Sequence, residues 1–416
     1  MKTMIKQHLF LIIILSALLY SFAFILSLLS WCVIPAVFLL FIIFKNLPQC
    51  SFKKTILYGI VWGFLVASIH TSWLIIMLIS KINTPLIWAI LLYGTFVSYL
   101  TILFLLFFLV IKYFQMPLPE WFRLIIILFI FKIFFSFLSK YGLFIFGFNA
   151  GGYPFFSPMI PLMHYVKKPA IVNNIGHIPI VYDTAGKRVV FNQEQATQKM
   201  FHALCKFNNK NKGCIITGES AYPWALNLNN KAIKLFSAAL TSKQTFLLGS
   251  IYKDQQGLEF QAVYLLTDKG IKKIICKKHA VPFFERMPTF LKKCTMIRAV
   301  LNAPVDFNTN ENATIDTIFV QSIGSARIAI CSDFFLGRLR FNIGKASTTT
   351  LLIVNDGWYV SYFRKIMENF TLLEALCNEV SIVYIGHFYN KTMVPKGLLC
   401  KSLCLKMLKA LAWLVR

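Results

Sequence analysis

The sequence predicts a helical membrane region followed by a mixed α/β domain, and three observations carry that reading. Of 416 residues, 57% are hydrophobic and only 14% are charged, far from the balance of a soluble globular chain. Residues 1–165 hold one acid, Glu120, against ten Lys or Arg, whereas the rest of the chain holds fifteen acids against thirty-three bases. From about Ala170 onward, short β-branched runs alternate with helix-like stretches. The shift puts a boundary near Tyr165: a membrane anchor at 1–165, an α/β domain at 166–400 and a short basic tail at 401–416.

Within the anchor, residues 9–44 are uncharged and interrupted by Trp31 and Pro35, too long for one span and suited to a helical hairpin. Further uncharged runs cover 55–80 and 82–111, and a fifth apolar segment at 121–139 carries Arg123 and Lys132. Five spans result. With the N-terminus inside, Lys2, Lys6, Lys45, Lys53, Lys54, Lys112 and Arg123 fall on the cytoplasmic side and only Lys81 and Lys140 outside. The rest of the chain is then expected on the outer face of the membrane. His70 and Lys132 lie within spans, where bonding to a neighbouring helix explains them better than function does. The 142–165 stretch is apolar but broken by four Gly and three Pro, as in a re-entrant or interfacial segment. In the tail, Cys404, Leu408, Leu411 and Val415 form an apolar stripe fit to lie along a membrane surface.

The net charge of +27 implies an anionic partner. Lipid headgroups beside membrane spans account for it, and no nucleic-acid recognition motif accompanies it. Ten cysteines are scattered without a CxxC pair, so no metal site is expected. There is no GxSxG elbow, Walker A, GxGxxG or HExxH sequence, and no cofactor is called for.

Four β-like runs end in chemically capable residues. Gly213–Thr217 leads into Glu219, Ile271–Cys276 into Lys277, Ala326–Ile330 into Cys331, and Thr350–Val354 into Asn355 and Asp356. In α/β architectures ligands gather beyond the carboxyl ends of strands, so these residues can converge. Cys supplies a polarizable nucleophile, Glu can take its proton, and Lys can hold oxyanion charge while favouring thiolate. Taken singly, each also has a bland reading as a buried thiol, a surface lysine or a helix-cap neighbour.

Local sequence favours the joint reading. Gly218-Glu219-Ser220-Ala221-Tyr222-Pro223 resembles the W-P-E-S-A-x-P segment of the apolipoprotein N-acyltransferase family, the membrane-bound branch of the nitrilase or carbon–nitrogen hydrolase superfamily, with Thr217 and Gly218 replacing Trp and Pro. Lys277-Lys278-His279-Ala280-Val281-Pro282-Phe283-Phe284-Glu285 is similar to K-x-H-L-V-P-F-G-E, and Ala329-Ile330-Cys331-Ser332-Asp333 to A-I-C-Y-E. Val354-Asn355-Asp356-Gly357-Trp358-Tyr359 resembles S-N-D-A-W-F, and Pro395-Lys396-Gly397 the later P-x-G turn.

The resemblance implies an α-β-β-α sandwich behind the helices. It also implies a catalytic set Glu219, Lys277 and Cys331, supported by Glu285 and Asp333, with Trp358 lining the substrate pocket. The activity implied is acyl transfer from a phospholipid, through a Cys thioester, to the N-terminal amine of a diacylglyceryl-cysteine lipoprotein. Two other readings stay open: a membrane-tethered amidase using the same three residues, and a family member that binds lipid or lipoprotein without catalysis.

Overall fold

The protein is described here by a computed structural model covering residues 2–25, 32–80, 84–113, 119, 122, 126, 175–179, 192–208, 212–281, 285–286, 307–309, 317–320, 323–335, 349–358, 361–378, 381–387 and 390–393. Apart from Phe122 and Ile126, the apolar segment at 121–139 lies outside the described residues, as do the 142–165 stretch, Pro395–Gly397 and the tail.

Among the described residues, the N-terminal part holds the helices α1 Lys2–Ile25, α2 Val33–Asn46, α3 Phe52–His70, α4 Ser72–Ser80 and α5 Leu86–Tyr113. Of these, α3 and α5 are long and apolar enough to cross a membrane; shorter apolar stretches are His8–Ala23 within α1 and Ile34–Gln49, which takes in α2 and the helical turn Leu47–Gln49 after it. The expected hairpin is α1 and α2, tied by Ser16 Oγ donating to the Ala36 carbonyl (3.0 Å). Trp62 Nε1 donates to the same Ser16 hydroxyl (3.4 Å), and the Tyr20 ring stacks on His70 (5.5 Å), so α1 and α3 run parallel. Between α3 and α5 the approach is close. A Cβ on Gly59 would lie 2.9 Å from Leu105 Cδ1, and one on Gly63 2.9 Å from Phe104 Cβ, the small-residue packing that membrane helices use.

The run 55–80 is not one continuous helix. Thr71 Oγ1 donates to the Ala67 carbonyl (2.6 Å) and Ser72 Oγ to Ile69 (2.8 Å), and such back-bonding competes with the helical ladder and bends it. The break separates the short α4, which lies against the second part of the molecule. There the Trp73 ring stacks on Phe363 of helix α8 (Ser361–Asn378) at 4.4 Å and 26°. The opposite end of the bundle gathers Lys45, Lys53, Lys54 and Lys112, the last donating to the Cys50 carbonyl.

The second part is four layers deep. One sheet contains β1 Ile175–Ile178, β2 Cys214–Thr217, β3 Tyr222–Ala225, β4 Thr245–Lys253, β5 Glu259–Thr267 and β6 Gly270–Cys276, in the order β1-β2-β4-β5-β6 with β3 beside β4. The other runs β11-β10-β9-β8-β7, from β7 Thr317–Val320, β8 Gly324–Ile330, β9 Thr349–Ile353, β10 Ile382–Ile385 and β11 Asn390–Met393. Alternate residues of each strand fill the space between the sheets: Cys214, Ile216 and Leu247 from one side meet Ile328, Ile330 and Leu351 from the other. The outer face of the first sheet is covered by α6 (Gln193–Asn208) through Ala196, Met200 and Leu204, and by α7 (Asn230–Ala238) through Ala232 and Phe236. On the other side α8 covers the second sheet. Helices on both outer faces bury the strands on two sides, which is why β2 and β9 read as continuous apolar runs instead of alternating ones.

Topology places the site. Strands β2, β4, β8, β9 and β10 run parallel within their sheets, and β6 regains the direction of β4 through two antiparallel steps. The residues following β2, β6, β8, β9 and β10 therefore emerge at the carboxyl ends together.

Candidate active site

Glu219, Lys277, Glu285 and Cys331 meet there. The Lys277 ammonium donates to Glu219 Oε1 (2.6 Å) and to Glu285 Oε1 (2.7 Å). The Cys331 thiol is hydrogen-bonded to the Glu219 carboxylate, and the Asn355 backbone N–H reaches both the sulfur and Glu219 Oε2, the latter at 3.2 Å. Glu285 is held in turn by the Val281 N–H on Oε2 (2.8 Å). Lys277 is 1% exposed and Glu219 2%, so these charges are matched to one another and not to water.

Their local geometry is set by the strand ends. Cys331 sits at φ 42° and Ser220, next to Glu219, at φ 57°, left-handed values that L residues rarely adopt. Such strain persists where surroundings fix it, and here they do. The Cys331 N–H donates to Ile353 O (2.8 Å), and Ser220 Oγ donates to Gln261 Oε1 (2.8 Å). Gln261 also accepts the Lys277 N–H on its backbone carbonyl (2.7 Å), so one residue indexes both the Glu219 turn and the lysine. Gly249 allows that turn its place, because a Cβ there would stand 2.2 Å from the Gly218 carbonyl oxygen and 2.8 Å from Glu219 Cα. We expect Gly249→Ala to displace Glu219 and to cost about 1–3 kcal/mol of stability, with a larger fractional loss of activity, read by thermal unfolding beside turnover.

Burial pushes the Cys331 thiol well above its ordinary pKa; Glu219 and Glu285 push the same way, and Lys277 pulls only partly back. Lys277 does favour thiolate, as expected, but burial and the two carboxylates outweigh it, and the resting group is S–H. For Lys277, burial disfavours the charge, but Glu219 and Glu285 overrule it and hold the ammonium well above its usual range. Burial likewise raises the Glu219 carboxyl against the pull of Lys277, and Glu285 adds to the rise. A carboxylate of raised basicity bonded to a thiol that cannot ionise by itself is the pairing a general base requires.

Asp333 grips the backbone beyond the lysine. Its Oδ1 accepts the N–H groups of Lys278 (2.8 Å) and His279 (2.7 Å), and Ser332 Oγ donates to the His279 carbonyl. Burial pushes the Asp333 carboxyl up to about 7, against Lys277 and those two N–H groups. Because this pKa lies above the unfolded value of about 3.9, the native state keeps a proton that the unfolded chain releases. Its contribution to stability is complete below pH about 4 and is lost as pH rises to about 7. Melting temperatures of Asp333→Asn, which cannot titrate, should therefore fall less between pH 4 and pH 7 than those of the unsubstituted protein.

Sequence reasoning missed His387. It is buried after β10, its Nε2–H donates to the Glu219 carbonyl (2.9 Å), and its N–H donates to Asp356 Oδ1 (2.8 Å). Asp356 also accepts the Tyr384 hydroxyl (3.3 Å). Burial pushes His387 down to about 4, so the ring is neutral. A Cβ on Gly218 would lie 2.9 Å from His387 Cδ2, so the glycine standing where the family segment has Pro leaves room for this ring. The signal was available: Ile382–Ile385 is a fifth, largely β-branched run, and it leads through Gly386 into His387. Trp358 closes the short turn Asp356–Trp358 after β9, and its side chain lies outside the described residues. Among the described residues no cluster of His, Cys, Asp or Glu could hold a metal ion.

Residues 16–166 match the family model of the apolipoprotein N-acyltransferase N-terminal domain. No curated protein matches the sequence. Among solved structures, the chain is similar to a glutamine-dependent NAD+ synthetase from Acinetobacter baumannii, at 15% identity and a TM-score of 0.37, over 48% of this chain and 38% of that one. It is also similar to a nitrilase-superfamily amidase from Nesterenkonia AN1, at 8% identity and 0.35, over 47% and 71%. A carbon–nitrogen hydrolase from Helicobacter pylori G27 follows at 11% and 0.36, over 51% and 72%.

Proposed function

We propose that this protein, whose residues 16–166 match the family model of the apolipoprotein N-acyltransferase N-terminal domain, transfers an acyl chain from a membrane phospholipid to the N-terminal amine of a diacylglyceryl-cysteine lipoprotein. The observation that carries this reading is the buried hydrogen-bonded set of one thiol, one carboxylate and one ammonium drawn from three separate strands. Cys331 Sγ attacks the ester carbonyl while Glu219 takes the thiol proton. Lys277 stabilises the tetrahedral oxyanion; the C–O bond then breaks, the lysophospholipid leaves with the proton from Glu219, and a thioester remains. The lipoprotein amine attacks that thioester, Glu219 carries its proton to the departing sulfur, and the acyl chain ends as an amide.

A membrane-apposed site suits two lipid substrates, since extracting either costs about 0.8 kcal/mol per CH₂. The contact of Trp73 with Phe363 supports that placement, because it holds the α/β layers against the helices at the end remote from Lys45, Lys53, Lys54 and Lys112. With those lysines inside, the α/β domain lies on the outer face of the inner membrane.

The test is incubation with phospholipid in proteoliposomes, followed by intact mass. An acyl adduct that hydroxylamine removes, with release of lysophospholipid, is expected. Adding a diacylated lipopeptide should yield the triacylated product. An adduct that discharges only to water would turn the assignment to a hydrolase, and absence of any adduct in folded protein would turn it to a binder.

A further inference from the structure

Asn355 stands out among the described residues. Its backbone N–H donates to Glu219 Oε2 (3.2 Å) and reaches the Cys331 sulfur, while its side-chain Oδ1 is buried with no hydrogen-bond partner. Of the described residues carrying such an unmatched atom, it is the one in contact with the reacting set. Buried acceptors are nearly always satisfied, and an exception at a site points to a group that arrives during the work of the site. The backbone contacts put Oδ1 within one side chain's reach of the sulfur and of the base, where a nucleophile must enter.

The two half-reactions differ in what they bring. A phospholipid ester carries no N–H or O–H at its reacting carbon. A neutral primary amine carries two hydrogens, and only one leaves: it passes to Glu219 and on to the Cys331 sulfur as the N–C bond forms and the C–S bond breaks. The other stays on nitrogen through the tetrahedral intermediate and into the amide. We propose that Asn355 Oδ1 accepts this retained hydrogen, orienting the acceptor's lone pair at the thioester and selecting a primary amine; this deepens the transferase reading and rests on it.

The experiment loads the thioester from phospholipid. It then chases the loaded protein with a diacylated lipopeptide bearing a free amine, or with the same peptide N-methylated, which has one hydrogen to give. The unsubstituted protein should prefer the primary amine by roughly 10- to 100-fold, the loss expected when a site's polar group is left unmatched. In Asn355→Ala that preference should shrink to within roughly threefold, and Asn355→Ser, with a shorter acceptor, should fall between. Parallel slowing of both peptides in both variants, or an unchanged preference, overturns the proposal. Failure of the unsubstituted protein to form a thioester sinks the transferase reading instead, so the two failures are distinct.

Discussion

Cys331→Ala should form no hydroxylamine-sensitive acyl adduct and should lose turnover by at least about a thousandfold, because the thiol is the nucleophile of the proposed transfer. The substitution keeps the fold. The thiol is buried against Glu219, whose charge opposes its ionisation, and the residue occupies a left-handed backbone conformation that alanine also tolerates poorly. The substitution therefore leaves the backbone strain in place and removes only a small contact, and a melting temperature close to that of the unsubstituted protein is expected. Adduct formation by intact mass, with thermal unfolding alongside, checks both halves. A persistent hydroxylamine-sensitive adduct in this variant would place the nucleophile elsewhere.

Lys277→Met should damage both stability and chemistry. It strips the ammonium from the buried Glu219 carboxylate at 2.6 Å and the part-buried Glu285 carboxylate at 2.7 Å, and breaking a buried pair by removing one partner costs about 3–5 kcal/mol. Loss of the oxyanion partner adds a fall of roughly 10²- to 10³-fold in turnover. The two effects separate in Lys277→Met combined with Glu285→Gln, which leaves the base Glu219 in place. With one carboxylate neutralised, much of the melting temperature should return while activity stays lost. Equal recovery of both would show that the lysine acts through folding alone.

The strands were legible because β-branched runs bounded by turn residues are a local signal. Thus Gly213–Thr217, Ile271–Cys276, Ala326–Ile330 and Thr350–Val354 appear as strands within two residues of their expected bounds. The helix break at Thr71 was not legible, since hydropathy alone does not register a hydroxyl bonding back to Ala67. Nor was the duty of Gln261, whose two contacts join residues far apart in sequence.

What the sequence determined by itself was the kind of chemistry available and the strands that would deliver it, because residue type and periodicity are properties of short segments. The tertiary structure alone decided that β6 returns parallel to β4, and so brings Lys277 to the same end as Glu219 and Cys331. It decided also that the sulfur is buried beside two carboxylates that share the lysine, and burial first, then the carboxylates, raise the thiol pKa. The reason is physical: pairing of distant strands and desolvation of charge depend on what packs beside each residue, and no segment carries that information in its own order.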